Sequence, residues 1–189
     1  MPYVQRLCEV AMNRVAVFCS SHEGLSESVT RAAAELGAWI GRQNLMLVYG
    51  GVGKGLMEVV ARAVKSNGGR VMGIIPDKFS QAGLTSECVD IEVPVVDLND
   101  RKSAMLRESD IFIALPGGIG TLDEIFMVMA SSVVGEHKKQ LILFNPDGYW
   151  DSLLGSLKEM EQQGYIASGY TSGIKMPDSV ESLTALLTS

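Results

Sequence analysis

Short runs of consecutive apolar residues alternate with segments of helical hydrophobic periodicity along the whole chain. Runs that are apolar at successive positions are typical of parallel strands covered on both faces. The predicted strands are residues 15–19, 45–49, 70–75, 89–95, 111–115 and 141–144. The predicted helices are 26–43, 56–65, 98–107, 122–134 and 149–162, followed by a short strand beyond Gly164 and a helix at 180–187. This alternation predicts an α/β fold, a doubly wound parallel sheet with helices on both faces and right-handed crossovers.

The alternation of strand and helix is not interrupted by a repeat, a low-complexity segment or a linker. We therefore predict a single domain over residues 13–189, preceded by an N-terminal extension at residues 1–12. In sheets of this kind ligands bind at the carboxyl ends of the strands, where loops lead into helices. Three strand-to-helix junctions are expected at this edge, at residues 19–21, 50–55 and 116–121.

Charge and composition narrow the classes of partner. The chain has 16 Lys and Arg residues against 22 Asp and Glu residues, a net charge of −6 at pH 7. Nucleic-acid binding needs a concentrated positive face, so this balance disfavours it. No apolar stretch approaches the ~20 residues that span a bilayer, and the first twelve residues lack a signal-peptide core. We expect a cytoplasmic protein with neither a membrane nor a nucleic acid as partner.

The cysteines and histidines do not form a metal-binding pattern. The three cysteines, Cys8, Cys19 and Cys88, are an odd number without a Cys-x-x-Cys pair. The two histidines, His22 and His137, lie far apart in the sequence. We therefore expect no disulfide framework and no metal site.

Two glycine-rich turns lie at the predicted ligand edge. The first contains Gly50, Gly51 and Gly53, and the second runs from Pro116 to Thr121. Glycine lets the backbone approach a ligand closely, so successive N–H groups can bind an anion at a helix N-terminus. One such turn can equally be structural, but two on the same edge favour a ligand that carries a phosphate. Neither turn fits the Walker A or the dinucleotide pattern, so ATP hydrolysis and NAD chemistry are not predicted.

The segment Thr-Leu-Asp-Glu at residues 121–124 has two interpretations. In the first, Thr121 is the N-cap of a helix and Glu124 its capping-box partner. In the second, the Glu124 carboxylate lies beside the phosphate-binding turn and acts on the sugar of the ligand. Arg101, which follows a predicted strand, is either part of a solvated helix face or lies on the same sheet edge.

The segment from Pro116 to Glu124 resembles the Pro-Gly-Gly-x-Gly-Thr-x-x-Glu signature of the LONELY GUY (LOG) proteins. The resemblance extends over residues 15–166. Its further matches are Arg-Lys-x-x-Met at 101–105, Tyr-Gly-Gly at 49–51, Gly-Leu-Met at 55–57, Gly-Ile-Ile-Pro at 73–76 and Asp-Gly-Tyr at 147–149. Members of this family are cytokinin riboside 5′-monophosphate phosphoribohydrolases, also labelled possible lysine decarboxylases.

The resemblance implies a Rossmann-like homodimer that cleaves a purine or cytokinin nucleoside 5′-monophosphate to free base and ribose 5-phosphate, without metal or cofactor. Carried over to this chain, Arg101 and Glu124 are the catalytic pair. A carboxylate near the breaking bond stabilises positive charge on the ribose or orients water. The resemblance assigns phosphate and nucleotide binding to Ser20, Ser21, Gly50, Gly51, Gly53, Met57, Lys102, Pro116, Gly117, Gly118, Ile119, Gly120 and Thr121.

The predicted helix 122–134 adds an argument for self-association. It is apolar on nearly all sides, more than a helix with one buried face needs. Burial against a partner as well as against the sheet explains this pattern, and complete burial within one subunit is the alternative.

Three other functions remain open from the sequence. The first is an AMP nucleosidase without a cytokinin role, because Ser131 and Gln140 depart from the family at positions that shape the base pocket or the dimer contact. The second is a non-enzymatic nucleotide or cofactor carrier on the same fold. The third, a lysine decarboxylase, needs a Schiff-base lysine for pyridoxal phosphate, and nothing singles out Lys54 or Lys102 for that role.

Overall fold

A computed structural model describes residues 12–188 of the chain. Its centre is a six-stranded, entirely parallel sheet in the order β4-β3-β2-β1-β5-β6. The strands are β1 Arg14–Phe18, β2 Met46–Tyr49, β3 Arg70–Pro76, β4 Ile91–Val95, β5 Ile111–Ala114 and β6 Leu141–Leu143. The predicted doubly wound α/β fold is confirmed.

Helices cover both faces of the sheet. They are α1 Glu27–Arg42, α2 Gly55–Ser66, α3 Asp77–Gln81, α4 Leu98–Glu108, α5 Ile119–Val133, α6 Asp151–Gln162 and α7 Val180–Thr188. The buried residues of α1, α2 and α7 form one hydrophobic core with the sheet, and those of α4 and α5 form a second core with Trp150.

Successive residues of the central strands contribute to opposite cores. In β1, Val15 and Val17 belong to the first core, and Ala16 and Phe18 belong to the second. Side chains alternate between the two faces of a strand, so a strand covered on both faces is apolar at every position. The uninterrupted apolar runs of the sequence follow from this double burial.

Several element boundaries differ from the prediction. The most consequential is α5, which begins at Ile119 with Gly118 as its N-cap, three residues before the predicted start. The short helix α3 was not predicted. The strand predicted beyond Gly164 is wrong, because Lys175 forms only an isolated bridge with Ile142.

The predicted N-terminal extension falls mainly on residues 1–11, which lie outside the described part of the chain. Between residues 12 and 188, no helix combines the length and the apolar character needed to cross a bilayer. The same residues contain no group of three or more His, Cys, Asp or Glu side chains placed to hold a metal ion.

The strand order places a crevice at the carboxyl ends of β1 and β5. These strands are neighbours, but the chain leaves β1 toward β2 on one side and leaves β5 toward β6 on the other. The two following loops therefore diverge and open a gap, the usual ligand position in such sheets. The residues after β1 and the second glycine turn both lie at this gap.

Candidate active site

The three loops at the carboxyl edge are hydrogen-bonded to one another. The Ser20 N–H donates to the Pro116 carbonyl at 3.3 Å, and the Leu56 N–H donates to the Ser20 carbonyl at 3.0 Å. Ser20 thus connects the turn before α5 with the first residues of α2. The predicted junctions after β1, β2 and β5 form one continuous site.

The N-terminus of α5 presents unpaired backbone donors to this site. The Leu122 N–H donates to the Gly118 carbonyl at 3.0 Å, the first bond of the helix ladder. Within residues 12–188, the N–H groups of Gly118, Ile119, Gly120 and Thr121 have no acceptor. Four adjacent unpaired donors, with the positive end of the helix dipole, favour an anion such as a phosphate.

The capping-box interpretation of Thr121 and Glu124 is wrong. Because Gly118 is the N-cap, Thr121 is the third residue of α5 and Glu124 the sixth, beyond the position from which a side chain caps the helix. The Glu124 side chain is buried and points to another element, α4. Its carboxylate therefore does not cap the N-terminus of α5.

Arg101 and Glu124 form a buried ion pair. Nη2 of Arg101 donates to Oε1 of Glu124 at 3.0 Å, and the two residues are 8% and 3% exposed. Asp97 caps α4 by accepting from the N–H groups of Asn99 and Asp100, which fixes the first turn that carries Arg101. Nε of Arg101 is buried and has no partner among the described residues. The ion pair therefore does not satisfy this buried N–H of the guanidinium.

Burial changes the acid–base properties of the pair. Removal of Glu124 from water raises the pKa of its carboxyl to about 7, even though the positive charge of Arg101 acts in the opposite direction. The neighbouring Asp123 charge also raises this pKa. At neutral pH the carboxyl therefore exchanges between its two protonation states, as suits a catalytic group.

A cavity of about 470 Å³ contains the ion pair and the N-terminus of α5. A cavity of this size accommodates a nucleotide. Nine of the predicted site residues line it: Ser20, Ser21, Met57, Arg101, Gly118, Ile119, Gly120, Thr121 and Glu124.

The other predicted site residues lie around this cavity rather than on its wall. Pro116 and Gly117 line an adjoining cavity of about 410 Å³, and Gly53 lines a groove next to α2. Nζ of Lys102 donates to both carboxylate oxygens of Asp123 at 2.7 Å.

Gly50 and Gly51 act through close packing. A Cβ on Gly50 would lie 3.2 Å from Nη1 of Arg101, so this glycine leaves room for the guanidinium. Gly51 has φ of +73°, and a Cβ there would lie 2.3 Å from Cγ1 of Ile75. Gly50 thus makes room for the ion pair, and Gly51 allows the turn to approach β3 closely.

Seven further residues line the cavity and were absent from the predicted site: Cys19, His22, Val52, Lys54, Phe79, Leu84 and Leu98. Cys19, Val52 and Lys54 lie inside the predicted junctions, so their sequence position was a usable signal. His22 directly follows the first junction. Phe79 and Leu84 come from α3 and the loop behind it. That loop is held by bonds from the Gly53 N–H to the Leu84 carbonyl and from the Ser86 N–H to the Gly51 carbonyl.

Comparison with known families gives a match over most of the chain. The family model described as "Possible lysine decarboxylase" matches residues 57–187. A cytokinin riboside 5′-monophosphate phosphoribohydrolase of Arabidopsis thaliana is 42% identical over 155 residues, covering 82% of this chain and 72% of that protein. A probable enzyme of the same description from Oryza sativa subsp. japonica is 41% identical over 161 residues, covering 85% of this chain and 64% of that protein.

Solved structures share the fold at lower identity. The molybdenum cofactor binding protein of Rippkaea orientalis has a TM-score of 0.74 and 23% identity, covering 95% of this chain and 97% of that one. The molybdenum cofactor carrier protein of Chlamydomonas reinhardtii has a TM-score of 0.73 and 19% identity, covering 94% and 96%. At these identities the likeness shows the fold alone.

Proposed function

Because the chain belongs to the LOG family of phosphoribohydrolases, we propose that it hydrolyses the N-glycosidic bond of a purine nucleoside 5′-monophosphate. The products are the free base and ribose 5-phosphate. The observation that carries the proposal is the buried pair of Arg101 and Glu124, in the same cavity as the unpaired N–H groups of α5. One helix thus supplies both the phosphate donors and the carboxylate.

The geometry suggests how the reaction proceeds. The phosphate binds the N–H groups from Gly118 to Thr121, and Glu124 lies one turn further along the same face of α5. The bond from C1′ to the base breaks, and the base leaves with the electron pair and takes up a proton. The Glu124 carboxylate stabilises the positive charge that develops on the ribose and orients the water whose oxygen bonds to C1′. That water loses one proton, which balances the proton taken up by the base. Arg101 holds this carboxylate and favours its ionised form.

We further propose that the base site accepts apolar substituents on the purine. The cavity wall formed by Val52, Phe79, Leu84 and Leu98 carries no side-chain hydrogen-bonding group. An extra buried methylene contributes about 0.8 kcal/mol there, so an alkylated base such as that of a cytokinin is compatible with the site. The names of the relatives support the same substrate class.

The function is tested by incubating purified protein with AMP and with isopentenyladenosine monophosphate, without added metal or cofactor, and measuring the free base. Release of base from either nucleotide supports the proposal. A carrier would leave both nucleotides intact, and a requirement for pyridoxal phosphate would favour the decarboxylase. A wild-type protein that releases no base from any monophosphate contradicts the proposed function.

Activity is expected to fall as the pH drops below about 7. The ionised carboxylate is the active form, so the kcat/KM value for AMP should decrease toward ~10-fold per pH unit well below the pKa of Glu124. The measurement is a pH profile of kcat/KM for wild type and for Asp123→Asn. Removing the Asp123 charge lowers the pKa of Glu124, so the acidic limb of the variant should lie at lower pH.

Comparing the pH profiles of the wild type and of Asp123→Asn identifies the group whose titration controls activity. The phosphate of AMP also titrates near pH ~6, but it does so identically with both proteins. Coincident acidic limbs, or a wild-type kcat/KM that stays constant down to about pH 5, would contradict the assignment to Glu124.

We also propose that the protein is a homodimer that associates through α5. Four apolar side chains of this helix and its C-cap remain exposed in one subunit: Ile119, Phe126, Val133 and Val134. Such a stripe on a helix that already contacts the sheet is typical of an interface. Light scattering should give twice the chain mass of 20.3 kDa for the wild-type protein. The control variant Met160→Glu should give the same mass, because it places a charge at an exposed apolar residue of α6 and leaves α5 unchanged.

The variant Phe126→Glu is expected to shift the mass toward that of the monomer, because it introduces a charge into the proposed interface. A wild-type protein of monomer mass at micromolar concentrations would refute the dimer. An unaltered dimer in Phe126→Glu would show that another surface forms it.

A further inference from the structure

The loop between β6 and α6 extends to the glycine turn that precedes α5. The Tyr149 hydroxyl donates to the Gly117 carbonyl at 2.8 Å. The tyrosine ring packs edge-on against Trp150, with ring centroids 4.8 Å apart, and the residue is 49% exposed. We propose that Tyr149 is a positioning residue for phosphate binding, whose hydroxyl keeps the Gly118 N–H directed toward the phosphate. The proposal deepens the proposed function and rests on it.

The peptide between Gly117 and Gly118 needs such an anchor. Glycine on both sides removes the steric barriers that normally fix the orientation of a peptide plane. Gly117 cannot be replaced by a stiffer residue, because a Cβ there would lie 2.1 Å from Oγ1 of Thr121. A hydrogen bond to the carbonyl is therefore an effective way to hold this plane.

One anchored carbonyl determines the direction of the next N–H. In a planar trans peptide the C=O and the following N–H point to opposite sides. The Gly117 carbonyl points to Tyr149, which lines the adjoining cavity of about 410 Å³. Gly118 lines both this cavity and the one that contains Glu124, and its N–H has no acceptor within residues 12–188. The N–H thus remains free for a ligand on the side away from Tyr149.

A flip of this peptide would reverse the electrostatics of the site. It would turn the carbonyl oxygen toward the bound phosphate and remove one of the four donors of the α5 N-terminus. An oxygen lone pair facing an anion is repulsive, so phosphate affinity depends on the unflipped state.

The loop that carries Tyr149 is itself held firmly. Asp147 and Gly148 have φ of +56° and +70°. Positive φ at Asp147 is unfavourable and persists because the surroundings hold it. Oδ1 of Asn145 accepts from the Trp150 N–H at 2.6 Å, and Ser28 on α1 donates to Oδ2 of Asp147 at 2.7 Å. The hydroxyl is thus presented to Gly117 by a loop tied at both ends.

The test is Tyr149→Phe, with Tyr165→Phe as the matched control, because Tyr165 is 82% exposed and lines neither cavity. The ring and its packing on Trp150 remain, so the melting temperature should change little. The Kd for AMP, measured by calorimetry, should rise about 10-fold, the effect of losing one positioned hydrogen bond. The Kd for ribose 5-phosphate should rise by the same factor, and kcat should stay within ~2-fold of wild type. The control should match wild type in every measurement.

The outcomes separate this proposal from the proposed function. If Tyr149→Phe binds AMP as wild type does, the positioning role is wrong while the hydrolytic function can still stand. If wild type binds AMP in a Tyr149-dependent way but releases no base, the hydrolytic function is wrong and the positioning role holds. A loss confined to kcat, or a loss for AMP that is absent for ribose 5-phosphate, would overturn the positioning role.

Discussion

Replacing Glu124 by Gln is expected to lower kcat for nucleoside-monophosphate hydrolysis by ~100-fold or more, an electrostatic contribution of about 2.7 kcal/mol or greater. Glutamine keeps the size of the side chain but has no negative charge to stabilise the ribosyl cation. The effect should be large because Glu124 is only 3% exposed, so water does not screen its charge. Binding of AMP should largely survive, because the phosphate donors are backbone groups.

Asp123→Asn is the matched control for this substitution. Asp123 is the adjacent residue on α5, and its carboxylate pairs with Lys102 outside the cavity lining. At about pH 8, above the expected titration of Glu124, this variant should keep kcat within ~2-fold of wild type. Melting temperatures of both variants show whether they are folded. A Glu124→Gln protein that is folded and turns over AMP at the wild-type rate would contradict a catalytic role for the carboxylate.

Removing the 5′-phosphate from the substrate is expected to lower kcat/KM by ~1000-fold, the loss of about two charge-assisted hydrogen bonds. Gly118, Ile119, Gly120 and Thr121 offer N–H groups without acceptors among residues 12–188, and adenosine cannot occupy them. Binding energy from a group remote from the reacting bond holds the ribose against Glu124, so its loss reduces the rate as well as the affinity.

The measurement compares AMP with adenosine under identical conditions and uses ribose 5-phosphate as an inhibitor. Ribose 5-phosphate keeps the phosphate and lacks the base, so it should compete with AMP. Comparable kcat/KM for the two substrates, or no inhibition by ribose 5-phosphate, would show that the phosphate does not bind at the N-terminus of α5.

A helix N-terminus is a suitable phosphate site, which a nucleotide carrier and a nucleotide hydrolase would both need. The buried Arg101 and Glu124 pair is the feature that a carrier does not need, since burying two charges is unfavourable unless the arrangement has a use. Turnover of AMP is therefore the informative measurement.

The sequence alone was sufficient to predict the fold and the edge at which the site lies. Double burial of parallel strands leaves a local sequence pattern, because each position that is covered on either face must be apolar. The runs at residues 15–18 of β1 and 111–114 of β5 show this directly. The glycine turns were recognisable for a similar reason, since tight strand-to-helix turns and backbone anion binding restrict the residue type itself. The family resemblance identified Arg101 and Glu124. In the structure, Nη2 of Arg101 lies 3.0 Å from Oε1 of Glu124.

The start of α5 and the wall of the cavity were decided by tertiary structure. Gly118 caps the helix without a side-chain hydrogen bond, so the sequence signal at Thr121 pointed to the wrong residue. Phe79 and Leu84 reach the cavity because the loop after α3 is hydrogen-bonded to the first glycine turn. The hydrophobic periodicity of the sequence does not predict this contact between two loops.

The sequence by itself determined the sheet, the edge of it at which ligands bind and the residue types at that edge. Strand burial and turn geometry each depend on residues within a few positions of one another, so short segments of sequence are enough to predict them. Only the tertiary structure decided the pKa of Glu124 at about 7, since that value depends on how completely distant elements exclude water from the carboxyl. Only the tertiary structure likewise brought Tyr149 to within 2.8 Å of Gly117, across 32 residues of chain. Desolvation and long-range hydrogen bonds arise from packing, which is a property of the folded chain and not of any segment of it.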